Sequence, residues 1–167
     1  EDSPPSAPTG VSAGDGSSTA NVGISWTASS GATGYSVYRG TSSSASSSSL
    51  LGSASGTSYT DSTATPGTLY YYWVKASNGA GTSDFSPSET GHRALSAPTG
   101  VNASDTASDA VTVSWSAVTG ASYYRVYRAT SSSGTKTALG SWQTALSYSD
   151  ASATTGTTYY YWVMAAV

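Results

Sequence analysis

Three short segments of this chain occur twice, each pair 89 positions apart. Ile24-Ser25-Trp26 returns as Val113-Ser114-Trp115, Tyr35-Ser36-Val37-Tyr38-Arg39 as Tyr124-Arg125-Val126-Tyr127-Arg128, and Tyr70-Tyr71-Tyr72-Trp73-Val74 as Tyr159-Tyr160-Tyr161-Trp162-Val163. Solenoid units have shorter periods and need their neighbours to close a core, so a repeat this long suits a self-contained domain used in tandem. The 167 residues therefore divide into a tail over residues 1–5, a first domain over 6–94 and a second over 95–167. By the same offset Val167 corresponds to Asn78, so the second copy has no counterpart of residues 79–94 and is expected to lack its closing strand.

Alternation sets the class of both copies. Val22, Ile24 and Trp26 alternate with Asn21, Gly23 and Ser25, while Tyr70, Tyr72, Val74 and Ala76 alternate with Tyr71, Trp73 and Lys75. A period of two marks a strand with one face buried. No segment carries apolar residues at helical spacing, and turn formers recur along the chain, so an all-β fold of two sandwiches is expected. Aromatic residues, 11% of the chain, supply a core for each small domain.

Charged residues make up 9%, against about a quarter in an ordinary domain, so hydroxyls and backbone must carry solubility. Six Lys and Arg with a net charge of −3 leave no basic stripe for nucleic acid. No apolar run is long enough for a helical membrane span. The absence of cysteine removes disulfides, thiolate nucleophiles and thiolate metal sites. The opening Glu1-Asp2-Ser3-Pro4-Pro5 reads as a mature secreted start or as a cut fragment, and an extracellular or cell-surface location is expected.

The tract Thr41-Ser42-Ser43-Ser44-Ala45-Ser46-Ser47-Ser48-Ser49 and the shorter Thr130-Ser131-Ser132-Ser133-Gly134-Thr135 read as solvated loops, with O-glycan attachment as the sharper alternative. The junction His92-Arg93-Ala94-Leu95-Ser96, followed by Pro98, is short enough to predict a semi-rigid pair.

Several motifs recur in both copies and resemble the fibronectin type III domain in its bacterial secreted form. They are Ala7-Pro8-Thr9-Gly10-Val11 with Ala97-Pro98-Thr99-Gly100-Val101, the second-strand Trp26 and Trp115, Tyr59-Thr60-Asp61 with Tyr148-Ser149-Asp150, and the sixth-strand patterns Gly67–Ala76 and Gly156–Ala165. The first copy adds Asn78 and Phe85-Ser86-Pro87-Ser88. The resemblance implies two tandem immunoglobulin-like β-sandwiches, the second lacking its closing strand, with Trp26 and Trp115 between the sheets. It also implies that the hydroxyls of Tyr70 and Tyr159 bond back to the turn before their strand. Arg39-Gly40 is followed by Thr41, so the Arg-Gly-Asp adhesion signal is not carried over.

No catalytic or metal constellation is legible, and no cofactor is expected. His92 is the single histidine, and the nine carboxylates are scattered. Asp105-Thr106-Ala107-Ser108-Asp109 lacks the ligand density of a calcium loop, and Asn102-Ala103-Ser104 is only a formal glycosylation sequon. Two features remain. If Tyr70, Tyr72 and Val74 face the core, then Tyr38, Tyr71 and Trp73 share the outer face, and Tyr127, Tyr160 and Trp162 repeat them with Arg125 placed to cover a ring. These residues are a stiffening aromatic ladder, a protein contact surface or a sugar-stacking surface. The second feature is an open edge along Tyr159, Tyr160, Tyr161, Trp162, Val163, Met164 and Ala165. Continuation of the chain, a cut, or a strand donated by a neighbour would account for it.

Two functions follow as expectations. The first is a non-enzymatic extracellular structural or adhesive protein that spaces and makes protein contacts, by self-association or with neighbours, in a surface appendage, matrix or filament. The second is an accessory linker or carbohydrate-contacting module of a secreted polysaccharide-degrading enzyme.

Overall fold

Alternation along the sequence becomes alternation of burial. In the computed structural model, which describes residues 3–105 and 108–167, β2 (Val22–Thr27) buries Val22, Ile24 and Trp26 and exposes Gly23, Ser25 and Thr27. Glu1 and Asp2 of the tail, and Thr106 and Ala107 of the Asp105–Asp109 segment, lie outside the described residues. The chain divides into two compact units, Glu1–Ala94 and Leu95–Val167.

In the first unit β2 lies between β1 (Thr9–Ala13) and β5 (Ser58–Asp61). The facing sheet runs from β4 (Ser49–Ala54) through β3 (Gly34–Gly40) to β6 (Tyr70–Asn78), with β7 (Gly81–Thr82) and β8 (Glu89–Gly91) both on the far side of β6. Tyr35, Val37, Tyr72 and Val74 meet Ile24 and Trp26 between the sheets. Each such side chain contributes about 1.5–3 kcal/mol when fully buried. The second unit repeats the plan. β10 (Val111–Ser114) pairs with β9 (Asn102–Ala103) and β13 (Ser147–Asp150), facing a sheet ordered β12 (Thr137–Gln143), β11 (Tyr123–Ala129), β14 (Tyr160–Ala166). Val113, Trp115, Tyr124, Val126 and Val163 form its core. The repeated Pro-Thr-Gly motif has a steric cause. Gly10 and Gly100 sit at φ +61° and +63°, and a Cβ there would lie 2.8 Å from Thr27 Oγ1 and 2.9 Å from Ser116 Oγ.

The closing segment of the first unit differs from a single strand. After the turn at Asn78, whose Oδ1 accepts from Ala80 and Gly81, residues 83–88 run outside regular strand before β8. Along this stretch the ladder is kept by serines. The N–H groups of Ala76 and Val74 donate to Ser83 Oγ and Ser86 Oγ, both at 2.9 Å, and the N–H groups of Ser83 and Ser86 donate back to the carbonyls of Ala76 and Val74. Pro87 has no N–H for a ladder, which is why a continuous strand does not form. Among the described residues nothing corresponds to β7 or β8 in the second unit.

The long serine tract is largely exposed, as expected of a solvated loop, and is folded locally. It contains one 3-10 turn, Ala45–Ser47, in which Ser47 Oγ donates to the Ser44 carbonyl at 2.9 Å and Ser48 Oγ to the Ala45 carbonyl at 2.6 Å. Short hydroxyl side chains close such local turns readily. The tail is anchored as well, since Asn78 Nδ2 donates to the Ser3 carbonyl at 2.9 Å and Pro5 is buried.

Candidate contact surface and open edge

Register places the outer aromatics where parity predicts, but their coverage differs between the units. Tyr38 on β3 pairs with Trp73 on β6, and Tyr127 on β11 with Trp162 on β14. Tyr71 stacks on Trp73 at 6.2 Å and 24°, and Tyr160 on Trp162 at 6.5 Å and 26°. The expected exposure of Trp73 is corrected: it is 3% exposed although it faces away from the core. Its ring lies beside Gly40, where a Cβ would be 3.5 Å from Cζ3, and under Tyr71. The closing segment adds Phe85, edge-on to Tyr38 at 4.9 Å and topped by Lys75 Nζ at 4.1 Å. In the second unit Trp162 and Tyr127 are half-buried and Tyr160 is 43% exposed.

Arg125 does not cover a ring, as the sequence led us to expect. Its Nε donates to the Gly140 carbonyl at 3.0 Å, and the cation over Trp162 is Lys136, with Nζ 4.7 Å from the ring centroid. Two further aromatics share this outer face. Tyr123 on β11 is 45% exposed and pairs with Ala166; Trp142 on β12 is 41% exposed and precedes Gln143, which pairs with the inward Tyr124. Sequence comparison of the copies passed over both because it followed matches, and these positions differ. The first copy has Gly34 and Ser53 there.

The edge strand begins at Tyr160 rather than Tyr159. No described strand pairs with the outer side of β14. The consequence is visible residue by residue: Tyr72 and Ala76 are fully buried, whereas Tyr161 and Ala165 are half-buried, and Met164 is 52% exposed. A cleft of about 510 Å³ opens between the start of β10 and the turn leading to β14, lined by Ala103, Asp109, Val111, Ala153, Tyr159 and Tyr161 among others. In the first unit the corresponding place is occupied by Gly91–Ala94, where the Gly67 N–H donates to the Arg93 carbonyl and Arg93 Nη1 donates to the Ala64 carbonyl.

Each unit also holds one buried charge network. Arg39 Nη1 lies 2.7 Å from Asp61 Oδ2, which also accepts from the Tyr72 hydroxyl at 2.9 Å, while Thr63 donates to Asp61 Oδ1 through both N–H and Oγ1. Arg128, Asp150, Tyr161 and Ser152 repeat the arrangement. Burial alone would raise the Asp61 carboxyl. Hydrogen bonds from Thr63, Arg39 and Tyr72 outweigh it and hold the group below its usual 3.8, and Asp150 behaves likewise. Burial, then the bond to Asp150, pushes Tyr161 up to about 12, and the same causes push the more deeply buried Tyr72 further. The arginines also lie 4.3 Å over the rings of Tyr70 and Tyr159, whose hydroxyls accept from the N–H of Thr65 and Thr154, the bond back to the preceding turn that the family resemblance implies. These groups are saturated by one another and act as structure.

His92 faces Asp15, with Nδ1 3.5 Å from Oδ1, and no serine hydroxyl bonds to it among the described residues. No group of three potential metal ligands occurs among them, and no described helix is long and apolar enough to cross a membrane.

Two antiparallel sheets closed over a tryptophan, built twice, define an immunoglobulin-like sandwich module. The chain belongs to the fibronectin type III family: the family's domain model matches residues 6–92. Domains of this family are non-catalytic modules. The chain is 38% identical over 181 aligned positions to exoglucanase B of Cellulomonas fimi, covering 96% of this chain and 15% of that protein. It is 44% identical over 94 positions to a poly(3-hydroxybutyrate) depolymerase of Ralstonia pickettii, covering 56% of this chain and 16% of the relative. It thus spans about a sixth of the length of these curated relatives. The solved two-domain fibronectin type III segment of chicken tenascin superimposes with a TM-score of 0.72 at 18% identity, over 96% of this chain and 91% of that one, a likeness of fold alone.

Proposed function

We propose that these two domains are a non-catalytic accessory module of a secreted bacterial polysaccharide-degrading enzyme, holding its parts apart and contacting polymer. One observation carries the reading: nearly the whole chain matches a small portion of an exoglucanase, in a fold whose buried Arg–Asp–Tyr networks are committed to structure. The depolymerase match supports the same class of host, an enzyme that attacks a polymer. A fold of this kind hosts many roles, so the host enzyme rather than the sandwich carries the argument. The appendage or filament reading has no comparable support.

Antibody against the 167-residue chain would isolate the native polypeptide from culture medium. Release of reducing ends from a β-glucan by that polypeptide is expected. Recovery of the sequence in an insoluble surface fraction without hydrolytic activity would overturn the reading.

A further inference from the structure

We propose that the second unit carries a glucan-binding strip on the outer face of β12-β11-β14, centred on Tyr123 and Trp142 with Arg125 on the same face of β11 as Tyr123, and that the first unit has no equivalent. The inference rests on the accessory-module reading and identifies the surface that would serve it.

The two units act as an internal control. The first builds the same sheet with Gly34 where the second has Tyr123, and with Ser53 before Ala54, the partner of Tyr35, where the second has Trp142 before Gln143, the partner of Tyr124. Neither ring is therefore required for the fold. Both nevertheless stand out from it, at 45% and 41% exposed, where burial would have gained stability. Tyr123 and Trp142 flank one cross-strand pair, Tyr124 with Gln143, from adjacent strands. That placement suits two rings meeting one sugar chain. Trp142 lies on β12, separated from the open side of β14 by β11.

The surroundings fit a neutral, hydroxyl-rich ligand. The C–H face of a pyranose packs on an aromatic ring as any apolar surface does, while its hydroxyls need donors and acceptors at the ring edge. Arg125 is held in place by its Nε bond to the Gly140 carbonyl, its one hydrogen bond among the described residues, and its terminal N–H groups face no other partner. Lys136 is occupied over Trp162. Among the described residues no carboxylate joins this face, which disfavours a cationic ligand. A glucan is chosen over a polyester because the exoglucanase match covers 96% of the chain and the polyesterase match 56%.

Retention of the whole 167-residue chain on microcrystalline cellulose, and its retardation in gels containing soluble β-glucan, tests the strip. Tyr123→Ser with Trp142→Ser should weaken binding about tenfold or more while leaving the melting of the second unit in place. Leu50→Ser, which removes an exposed apolar side chain from the first unit, should bind like the parent chain. The proposal is overturned if the parent chain is not held by either glucan, if the double variant binds as well as the parent, or if retention occurs on poly(3-hydroxybutyrate) granules alone. Because this readout needs no hydrolysis, it stands apart from the test of the host enzyme. A glucanase host whose module ignores glucan sinks the strip only, and a binding strip in an inactive host sinks the host reading only.

Discussion

The Tyr72 hydroxyl donates to Asp61 Oδ2 across 2.9 Å, and 89 residues later Tyr161 donates to Asp150 Oδ2 across 2.8 Å. Each carboxylate is about 1% exposed, and each also takes a hydrogen bond from an arginine on the neighbouring sheet. A buried charge is tolerable only when its lone pairs are filled, so these residues stand or fall together. The network ties the two sheets of a sandwich across its core.

Asp61→Ala should therefore destabilise the first unit by about 3 kcal/mol, because the Tyr72 hydroxyl and the Arg39 guanidinium lose their acceptor inside the fold. Asp150→Ala should cost less, since Tyr161 is half-buried and water reaches it. Urea denaturation followed by tryptophan fluorescence measures both. Equal losses in the two variants would show that exposure of Tyr161 does not matter.

The same groups set the pH limits. Asp61 and Asp150 have native pKa values below 3.8, so their contribution is complete above the ordinary carboxylate range and is lost as pH falls through the depressed native values. Tyr161 is raised from 10.0 to about 12, so its contribution is complete below pH 10 and is lost as pH rises towards 12. Stability of the second unit should be level between these windows. Melting measured across the range checks this, and a midpoint that drifts between pH 5 and pH 9 contradicts it.

Trp26 and Trp115 occupy the same core position in the two units, at 5% and 6% exposed. Each should cost about 3–5 kcal/mol on replacement by alanine, enough to unfold its own small domain. Circular dichroism of each single variant should show one of two units lost. A variant that melts within a few degrees of the parent chain would refute the assigned register.

Ser83 and Ser86 act as surrogate strand partners in the closing segment. Ser86→Ala leaves the Val74 N–H buried without an acceptor, at a cost of about 1–3 kcal/mol. Ser47→Ala, in the exposed serine tract, should change stability by less than about 0.5 kcal/mol. Comparable denaturation midpoints for the two variants would mean that the Oγ bonds to β6 contribute nothing.

A strand writes its two faces in successive residues, so period-two alternation and the 89-residue repeat were enough to determine from sequence alone the sandwich class, its duplication and its inward set around Trp26, Tyr72 and Val74. Coverage is another matter. Parity says which way Trp73 points, but its burial depends on Gly40 and Tyr71 closing over its ring, and exposure of its counterpart Trp162 on a different neighbourhood. Arg39, Asp61 and Tyr72 lie on three strands, 22 and 11 positions from the shared carboxylate, and only tertiary packing brings them together. Tyr123 and Trp142 were hidden for the opposite reason. A repeat is recognised by residues that agree, whereas these two come together only once the pairing of Tyr124 with Gln143 sets β11 beside β12.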